Sequence, residues 1–333
     1  MRKNRLSLLL IVALTVAIAV SIQPAALSAA NVSPVQVISG EKTVTLTQAD
    51  LEKMNAITAQ VCFLRTTGKI EGPAAYKGVL VTDLLALVGG IDPGQAIKVT
   101  ARDGYALTYS HAQVDGGLLT YDNSGKALRV GGVVMLLAYE SDRDGKDKLP
   151  RLGFVGEDAK QVAITDGHFW TKGVAKIEVV PGVDDWEVRL DGIEKTAFDR
   201  ATFESSVMCP NTPHPGVSWE TTDKEGNKIV YEGMPLWVMI SMMDGGDSPD
   251  GHYAFNDELA AKGYKVRIVS KDGFSAELDS KLIARNNDVF LAICKNGAPL
   301  TEKEAPLVLA GSALPSKKYM VKQIVSIQLI ELQ

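Results

Sequence analysis

The most reactive side chains of this sequence belong to its three cysteines, Cys62, Cys209 and Cys294. A deprotonated thiol can bind a soft metal or act as a nucleophile. Three cysteines this far apart are too few for a disulfide framework, so at least one stays unpaired within the monomer. Cys294 lies in a continuous apolar run and is predicted to be in the core. Cys62 and Cys209 have two interpretations, since free cysteines are often buried small side chains.

The histidines show no spacing that is typical of a metal site. They are His111, His168, His214 and His252. His214 follows Cys209 by five residues. A Cys/His pair is therefore one interpretation, and an exposed loop histidine between prolines is the other. Gly-rich phosphate loops, serine nucleophile elbows and paired-carboxylate signatures are absent from the sequence.

The first 30 residues predict where the protein acts. A short basic stretch, an apolar run over residues 6–22 and small residues at Ser28 and Ala30 follow one another. This order is typical of a Sec-type signal peptide over residues 1–30, although an uncleaved membrane anchor fits the same run. The segment contains no Arg-Arg pair, so it does not indicate export through the twin-arginine route. We expect an exported protein, in the periplasm, at the cell surface or outside the cell, with no membrane span after cleavage.

The charge of the chain excludes one class of partner. The sequence carries a formal charge of −5, and its first 30 residues hold three basic and no acidic side chains, which leaves −8 for the rest. An acidic chain with dispersed Lys and Arg has no electrostatic reason to bind nucleic acid. The composition is that of a globular protein, and the length after cleavage favours two domains.

The mature sequence repeats one order of elements, which predicts a tandem domain duplication. Each copy has a strand and a short capped helix, then a tight glycine turn with a second helix, an Asp-Gly-aromatic hairpin, a buried strand and a closing alternating strand. The corresponding segments are 35–40 and 186–192, 47–54 and 199–206, 76–90 and 231–246, 97–105 and 264–274, 133–139 and 289–294, and 174–180 and 324–330. The Pro/Gly/acidic segment 181–185 separates the copies, so the domains are predicted at 31–181 and 184–333.

These landmarks resemble the molybdopterin-binding domain of sulfite-oxidase-type oxidoreductases over nearly all of the mature chain. In the first copy the resemblance is carried by residues 76–85, 103–105, 136–139 and 169–172. In the second copy it is carried by residues 231–236, 272–274, 296–300 and 305–307, which keep the Gly-x-Pro-Leu and Asn-Gly-x-Pro-Leu elements intact. The resemblance implies an α+β fold of mixed β-sheet modules, duplicated in tandem.

The resemblance also implies a cofactor site. The family's molybdenum ligand is a cysteine between the first helix and the Tyr-x-Gly turn, and both Cys62 and Cys209 lie in that interval. Neither has the family's Gly-Asn-Arg context, which only Asn211 echoes. The implied contacts to the pterin and its phosphate are Lys172, His252, Asn256 and Arg285. The same side chains also fit turns, a helix cap and a solvated surface.

Two functions from different classes follow. The first is a molybdopterin-dependent oxidoreductase, in which Cys62 or Cys209 ligates molybdenum for oxygen-atom or electron transfer, with a small-molecule substrate or an electron-transfer partner. The second is a cofactor-free periplasmic or cell-surface binding module that kept the fold, lost the pterin and uses the cleft between its domains. Export through the Sec route favours the second, because enzymes of the resembling family typically cross the membrane folded and loaded.

Overall fold

The computed structural model describes residues 32–65, 68–143, 148–158, 161–208, 216–246 and 253–332. Residues 1–30, Cys209, His214 and His252 lie outside these ranges. Within them the chain forms four β-sheets joined by short helices, which confirms the predicted α+β class with mixed sheets. No helix in this described part is long and apolar enough to span a membrane.

The first half of the chain builds one five-stranded and one seven-stranded sheet. Its elements are β1 (Val35–Ser39), β2 (Lys42–Leu46), α1 (Gln48–Leu51), β3 (Ala56–Leu64), β4 (Ile70–Leu80), α2 (Val81–Ala86), β5 (Gln95–Ala101), β6 (Ala106–Ser110), α3 (His111–Val114), β7 (Leu119–Tyr121), β8 (Ala127–Val130), β9 (Val133–Ser141), β10 (Arg151–Gly156), β11 (Ile164–Asp166) and β12 (Val174–Pro181). The five-stranded sheet has the order β2-β1-β12-β5-β6, and the seven-stranded sheet has the order β10-β9-β4-β3-β11-β7-β8.

The second half builds two five-stranded sheets. Its elements are β13 (Glu187–Asp191), β14 (Lys195–Asp199), α4 (Arg200–Met208), β15 (Val217–Thr222), β16 (Lys228–Pro235), α5 (Leu236–Ile240), α6 (Asp257–Lys262), β17 (Lys265–Ser270), β18 (Ser275–Asp279), α7 (Ser280–Ile283), β19 (Phe290–Lys295), β20 (Ala298–Pro299), β21 (Val308–Ala310) and β22 (Ile324–Ile330). One sheet has the order β14-β13-β22-β17-β18, and the other has the order β15-β16-β19-β20 with β21 beside β19.

The sheets β2-β1-β12-β5-β6 and β14-β13-β22-β17-β18 have the same arrangement of strands. In each, the first strand of the half runs parallel to its last strand, β1 to β12 and β13 to β22. Every other neighbouring pair in the two sheets is antiparallel. Each half therefore begins and ends in the same sheet, whereas the domain boundaries themselves stay a prediction.

The capped helices and the hairpins predicted from sequence are confirmed. The Thr47 hydroxyl accepts the N–H of Asp50 at 3.3 Å at the start of α1. The Asp199 carboxylate accepts the N–H of Thr202 at 2.7 Å at the start of α4. Asp-Gly turns join β5 to β6 and β17 to β18, as the sequence pattern predicts.

The predicted tight turns around Gly78 and Gly233 are wrong, because both glycines lie inside strands. Gly78 is in β4 and Gly233 is in β16, and each marks a shift of register against its neighbour, β9 or β19. A Cβ added at either glycine would collide with the backbone of Leu137 or Leu291 on that neighbour. Glycine is required at both positions because two strand backbones approach closely. A tight turn also favours glycine, so the sequence alone does not distinguish the two cases.

Each half has its own buried apolar cluster. The first contains Leu84 and Leu137, and the second contains Leu236 and Ile327. Cys294, predicted to be in the core, is only half-buried near the end of β19, beside Glu232 on β16. That prediction is wrong because the apolar run of β19 continues past the point where the second core ends.

Candidate functional site

Cys62 lies in the middle of the seven-stranded sheet. It is in β3, 6% exposed, opposite Ile164 of the parallel strand β11. The backbone of Gly72 covers the thiol, since a Cβ added at Gly72 would lie 2.9 Å from the Cys62 Sγ. Burial raises the pKa of the Cys62 thiol, which favours the neutral form over the thiolate that a metal requires.

A buried arginine lies on the neighbouring part of the same sheet. Arg151 of β10 is fully buried, with its guanidinium 5.3 Å from the ring centroid of Trp170 and 5.6 Å from that of Tyr76. Its Nη1–H donates to the Tyr76 hydroxyl at 3.1 Å. The sequence analysis did not single out this arginine. Its position directly before the apolar run 152–155 is the feature of the sequence that indicates a buried charge. Its contacts with the rings make it part of the core.

The candidate pterin contacts of the second half surround the start of α6. Arg285 forms an ion pair with Asp257 at 2.8 Å and stacks on the Trp237 ring, with 4.8 Å between guanidinium and centroid. Hydrogen bonding to Arg285 lowers the pKa of Asp257. The Asn256 side chain accepts the Leu259 N–H at 2.9 Å and caps α6. Both groups therefore hold the local fold together.

The structure does not bring the described candidates into one site. Cys62 and the exposed Lys172 belong to the first half, whereas Asn256 and Arg285 belong to the second. No group of three or more His, Cys, Asp or Glu in the described ranges could hold a metal ion. The covered thiol of Cys62 and the engaged Arg285 do not fit a molybdopterin. Cys209 and His252 lie outside the described residues, so their assignment stays a prediction.

The junction between the halves is filled by a buried polar network around Arg200 of α4. Arg200 is 3% exposed and donates to Asp185 at 2.8 Å and Glu204 at 2.9 Å. It also donates across the junction to the Thr108 carbonyl at 3.0 Å and to Gln113 at 3.2 Å. Burial lowers the pKa of Arg200, but Glu204 and Asp185 outweigh burial and raise it overall. Arg200 therefore fixes the two halves against each other at this point.

A pocket opens at the other end of the seven-stranded sheet, beside its edge strand β8. Its volume is about 380 Å³, within the range of small-ligand sites. It is lined by Thr120, Tyr121, Leu128, Arg129, Gly131, Gly132, Gly156, Glu157, Asp158, Gln161, Val162, Ala163 and Ile164. We call it the β8 pocket. Sequence reasoning did not find it, because its lining comes from four strands and two loops that carry no motif.

Two charged side chains of the β8 pocket have no partner in the described part of the chain. Arg129 and Glu157 flank Gly132, whose carbonyl accepts the Glu157 N–H at 3.3 Å. The Arg129 guanidinium lies where a Cβ of Gly132 would be. Neither side chain makes a hydrogen bond or an ion pair with the described residues. Both residues are exposed.

Tyr121, one of the lining residues of the β8 pocket, is held by a hydrogen bond. Tyr121 donates from its hydroxyl to Asp166 of β11 at 2.9 Å. Burial raises the pKa of Asp166, and it also raises the pKa of Tyr121. The pair joins β7 to β11, and these strands also supply the lining residues Thr120 and Ile164.

Comparisons with known proteins give similarity to solved structures alone. No family model matches the chain, and no curated protein sequence does. Among solved structures the chain is similar to the sulfane dehydrogenase SoxCD from Paracoccus pantotrophus, at 14% sequence identity and a TM-score of 0.28. The match covers 75% of this chain and 65% of that chain, so this chain spans less than two thirds of its length. A likeness this distant carries no argument about activity.

Proposed function

We propose that this chain is an exported binding protein that takes a small ligand in the β8 pocket and uses no molybdopterin. The proposal joins three parts: a signal peptide over residues 1–30, two tandem modules of sulfite-oxidase type, and a ligand site in the first module. The observation that carries it is the β8 pocket, in which Arg129 and Glu157 have no partner among the residues that the structure describes.

The matched sheets support the tandem duplication. Beyond their common strand order, Gly78 and Gly233 occupy equivalent strands and produce the same close contact with the neighbouring backbone. An unrelated pair of domains would have no reason to share such a local irregularity, since bulges are usually kept within a family.

The surroundings of Cys62 argue against the enzyme alternative. A molybdenum ligand must be deprotonated and open to the metal, whereas Cys62 is covered by Gly72 and its pKa is raised by burial. The oxidoreductase alternative therefore depends on Cys209. The binding alternative predicts a ligand between the domains, where Arg200 donates to the Thr108 carbonyl. We propose the β8 pocket as the ligand site instead.

Ligand-dependent thermal stability tests the site. The mature protein would be screened by differential scanning fluorimetry against small polar compounds, together with two variants. Val162→Trp fills the pocket from a position that is 46% exposed, and Phe274→Trp is a control at a position that is 51% exposed in the second half. Compounds that raise the Tm of the wild type and of Phe274→Trp, but not of Val162→Trp, are expected. Equal stabilisation of Val162→Trp would contradict the proposed site.

A further inference from the structure

The charges of the β8 pocket indicate what it binds. Ion pairs occupy most charged side chains of the described sheets, such as Arg267 with Glu277 at 2.8 Å and Lys265 with Asp279 at 3.1 Å. Arg129 and Glu157 differ, because they flank one backbone position and still do not pair with each other. A guanidinium and a carboxylate held apart in one pocket can each accept a complementary ligand charge.

We propose that the β8 pocket binds a small zwitterion, such as a free α-amino acid or a dipeptide. This inference rests on the proposed function. The ligand carboxylate binds the planar fork of Arg129 through two N–H donors, and the ligand ammonium binds the Glu157 carboxylate. A ligand with both charges satisfies both walls at once, whereas an anion or a cation leaves one of them unused.

Gly132 contacts both charged residues of the β8 pocket. It has a φ of +82° and no side chain, so the Arg129 guanidinium lies against its backbone while its carbonyl holds the Glu157 N–H. The strand that carries Arg129 is fixed in turn, because the Thr120 hydroxyl donates to the Arg129 carbonyl at 2.8 Å. These contacts fix the backbone at both residues, and the two charged side chains extend from it into exposed positions.

The rest of the lining suits a compact ligand with a short side chain. Leu128, Val162 and Ile164 supply apolar surface, and Gln161 supplies an amide that has no side-chain partner in the described ranges. A volume of about 380 Å³ accommodates an amino acid or a dipeptide. The apolar part contacts the ligand side chain, and the charged part binds the ligand carboxylate and ammonium.

Calorimetric titration of the mature protein tests the inference. The probes are the twenty α-amino acids and glycyl dipeptides, each compared with its amide and with its N-acetyl derivative, which lack one charge. Tenfold or greater weakening is expected for the derivatives, for Arg129→Gln and for Glu157→Gln. Arg267→Gln, which removes an exposed guanidinium of the second half, is the matched control and is expected to change affinity less than twofold.

The outcomes separate this inference from the proposed function. Zwitterions that bind no better than their singly charged derivatives, or no zwitterion binding at millimolar concentration, would overturn the inference. If uncharged compounds then bind the wild type and Arg129→Gln equally but not Val162→Trp, the pocket is a ligand site of another class. If no compound distinguishes Val162→Trp from the wild type, the proposed function fails as well.

Discussion

The Asp-Gly-aromatic hairpins of the two halves share their backbone and differ in what covers them. In the first, the Ala101 N–H donates to the Tyr105 carbonyl at 2.8 Å, and in the second the Ser270 N–H donates to the Phe274 carbonyl at 2.8 Å. The Tyr105 hydroxyl donates to Ser205 of α4 at 3.0 Å, whereas Phe274 is 51% exposed. The aromatic residue of the turn therefore contacts α4 in the first half and is exposed in the second.

The strands behind these turns show how each position is stabilised. The β6 edge is covered by α4, where the Thr108 N–H donates to Glu204 at 3.0 Å. The equivalent strand β18 alternates exposed and buried residues, and its exposed charges pair with β17, for example Glu277 with Arg267. Charged residues are a common way to protect an edge strand from further pairing. The two hairpins therefore share their strand pairing, whereas their side chains differ: those of the first bind α4, and those of the second form ion pairs within the sheet.

Replacing Arg200 of α4, the helix that covers the first hairpin, is expected to have the largest effect. Arg200→Met removes the cation from Asp185 and Glu204, which leaves both carboxylates without their main partner. A hydrogen bond to a charged group contributes about 1.5–3 kcal/mol, and this variant loses such bonds to both carboxylates. Arg267→Met on the exposed hairpin is the control, with an expected cost of about 0–1 kcal/mol. Urea unfolding of both variants measures the difference, and similar losses would contradict the comparison.

The two strand glycines are expected to respond alike. Gly78→Ala and Gly233→Ala each force a methyl group against the backbone of the neighbouring strand, so each should destabilise by about 1–3 kcal/mol. Gly94→Ala is the control, because nothing lies within 4 Å of a Cβ added there. The free energies of unfolding from urea titration test this. A large loss in one half and none in the other would weaken the case for duplication.

The aromatic residues of the two turns are expected to differ by a smaller amount. Tyr105→Phe removes the hydrogen bonds of the hydroxyl to Ser205 and to the His168 carbonyl, at 3.0 and 3.2 Å. The expected loss is about 0.5–1.5 kcal/mol. Phe274→Tyr adds a hydroxyl to an exposed ring and should leave stability unchanged. If thermal unfolding shows no loss for Tyr105→Phe, the contact with α4 does not stabilise the first hairpin.

Buried carboxylates of the two halves are expected to respond to pH in opposite directions. Burial raises the pKa of Glu304, but hydrogen bonds from Lys322, Lys295 and Thr301 outweigh it and hold that pKa at about 2. This pKa lies below the ordinary value of 4.5, so Glu304 stabilises the folded state above that pH, and the stabilisation is lost as the pH falls toward 2. Burial raises the pKa of Asp166, so its contribution instead decreases as the pH rises through its ordinary value of 3.8.

Unfolding by urea between pH 2.5 and 6 would separate the two carboxylates. Glu304→Gln should flatten the loss of stability on the acidic side, whereas Asp166→Asn should make the stability rise more steeply with pH. Identical pH profiles for the wild type and both variants would contradict the assignments.

Much of the fold could be predicted from local patterns. The alternating strands β12 and β22, the Asp-Gly hairpins and the Thr47 and Asp199 caps depend on neighbouring residues alone. The strand positions of Gly78 and Gly233 could not, because a glycine needed for close contact between strands looks the same in sequence as a glycine in a turn. The proposed duplication is a prediction from the same local signals, because the two halves repeat them in one order.

The candidate site was harder to predict, because its determinants are distant in sequence. The burial of Arg200 depends on Thr108, 92 residues away. The covering of the Cys62 thiol depends on Gly72. The β8 pocket unites Arg129 with Glu157 across two strands. The family resemblance implied that Cys62 is a metal ligand, whereas its environment in β3 is that of a core residue.

Molybdenum and pterin analysis of the protein, purified from its native compartment, tests the central claim most directly. The predicted result is no molybdenum above background and no pterin fluorescence after oxidative release, for the wild type and for Cys62→Ser and Cys209→Ser alike. Molybdenum near one equivalent, lost in either serine variant, would contradict the claim and make that cysteine a metal ligand.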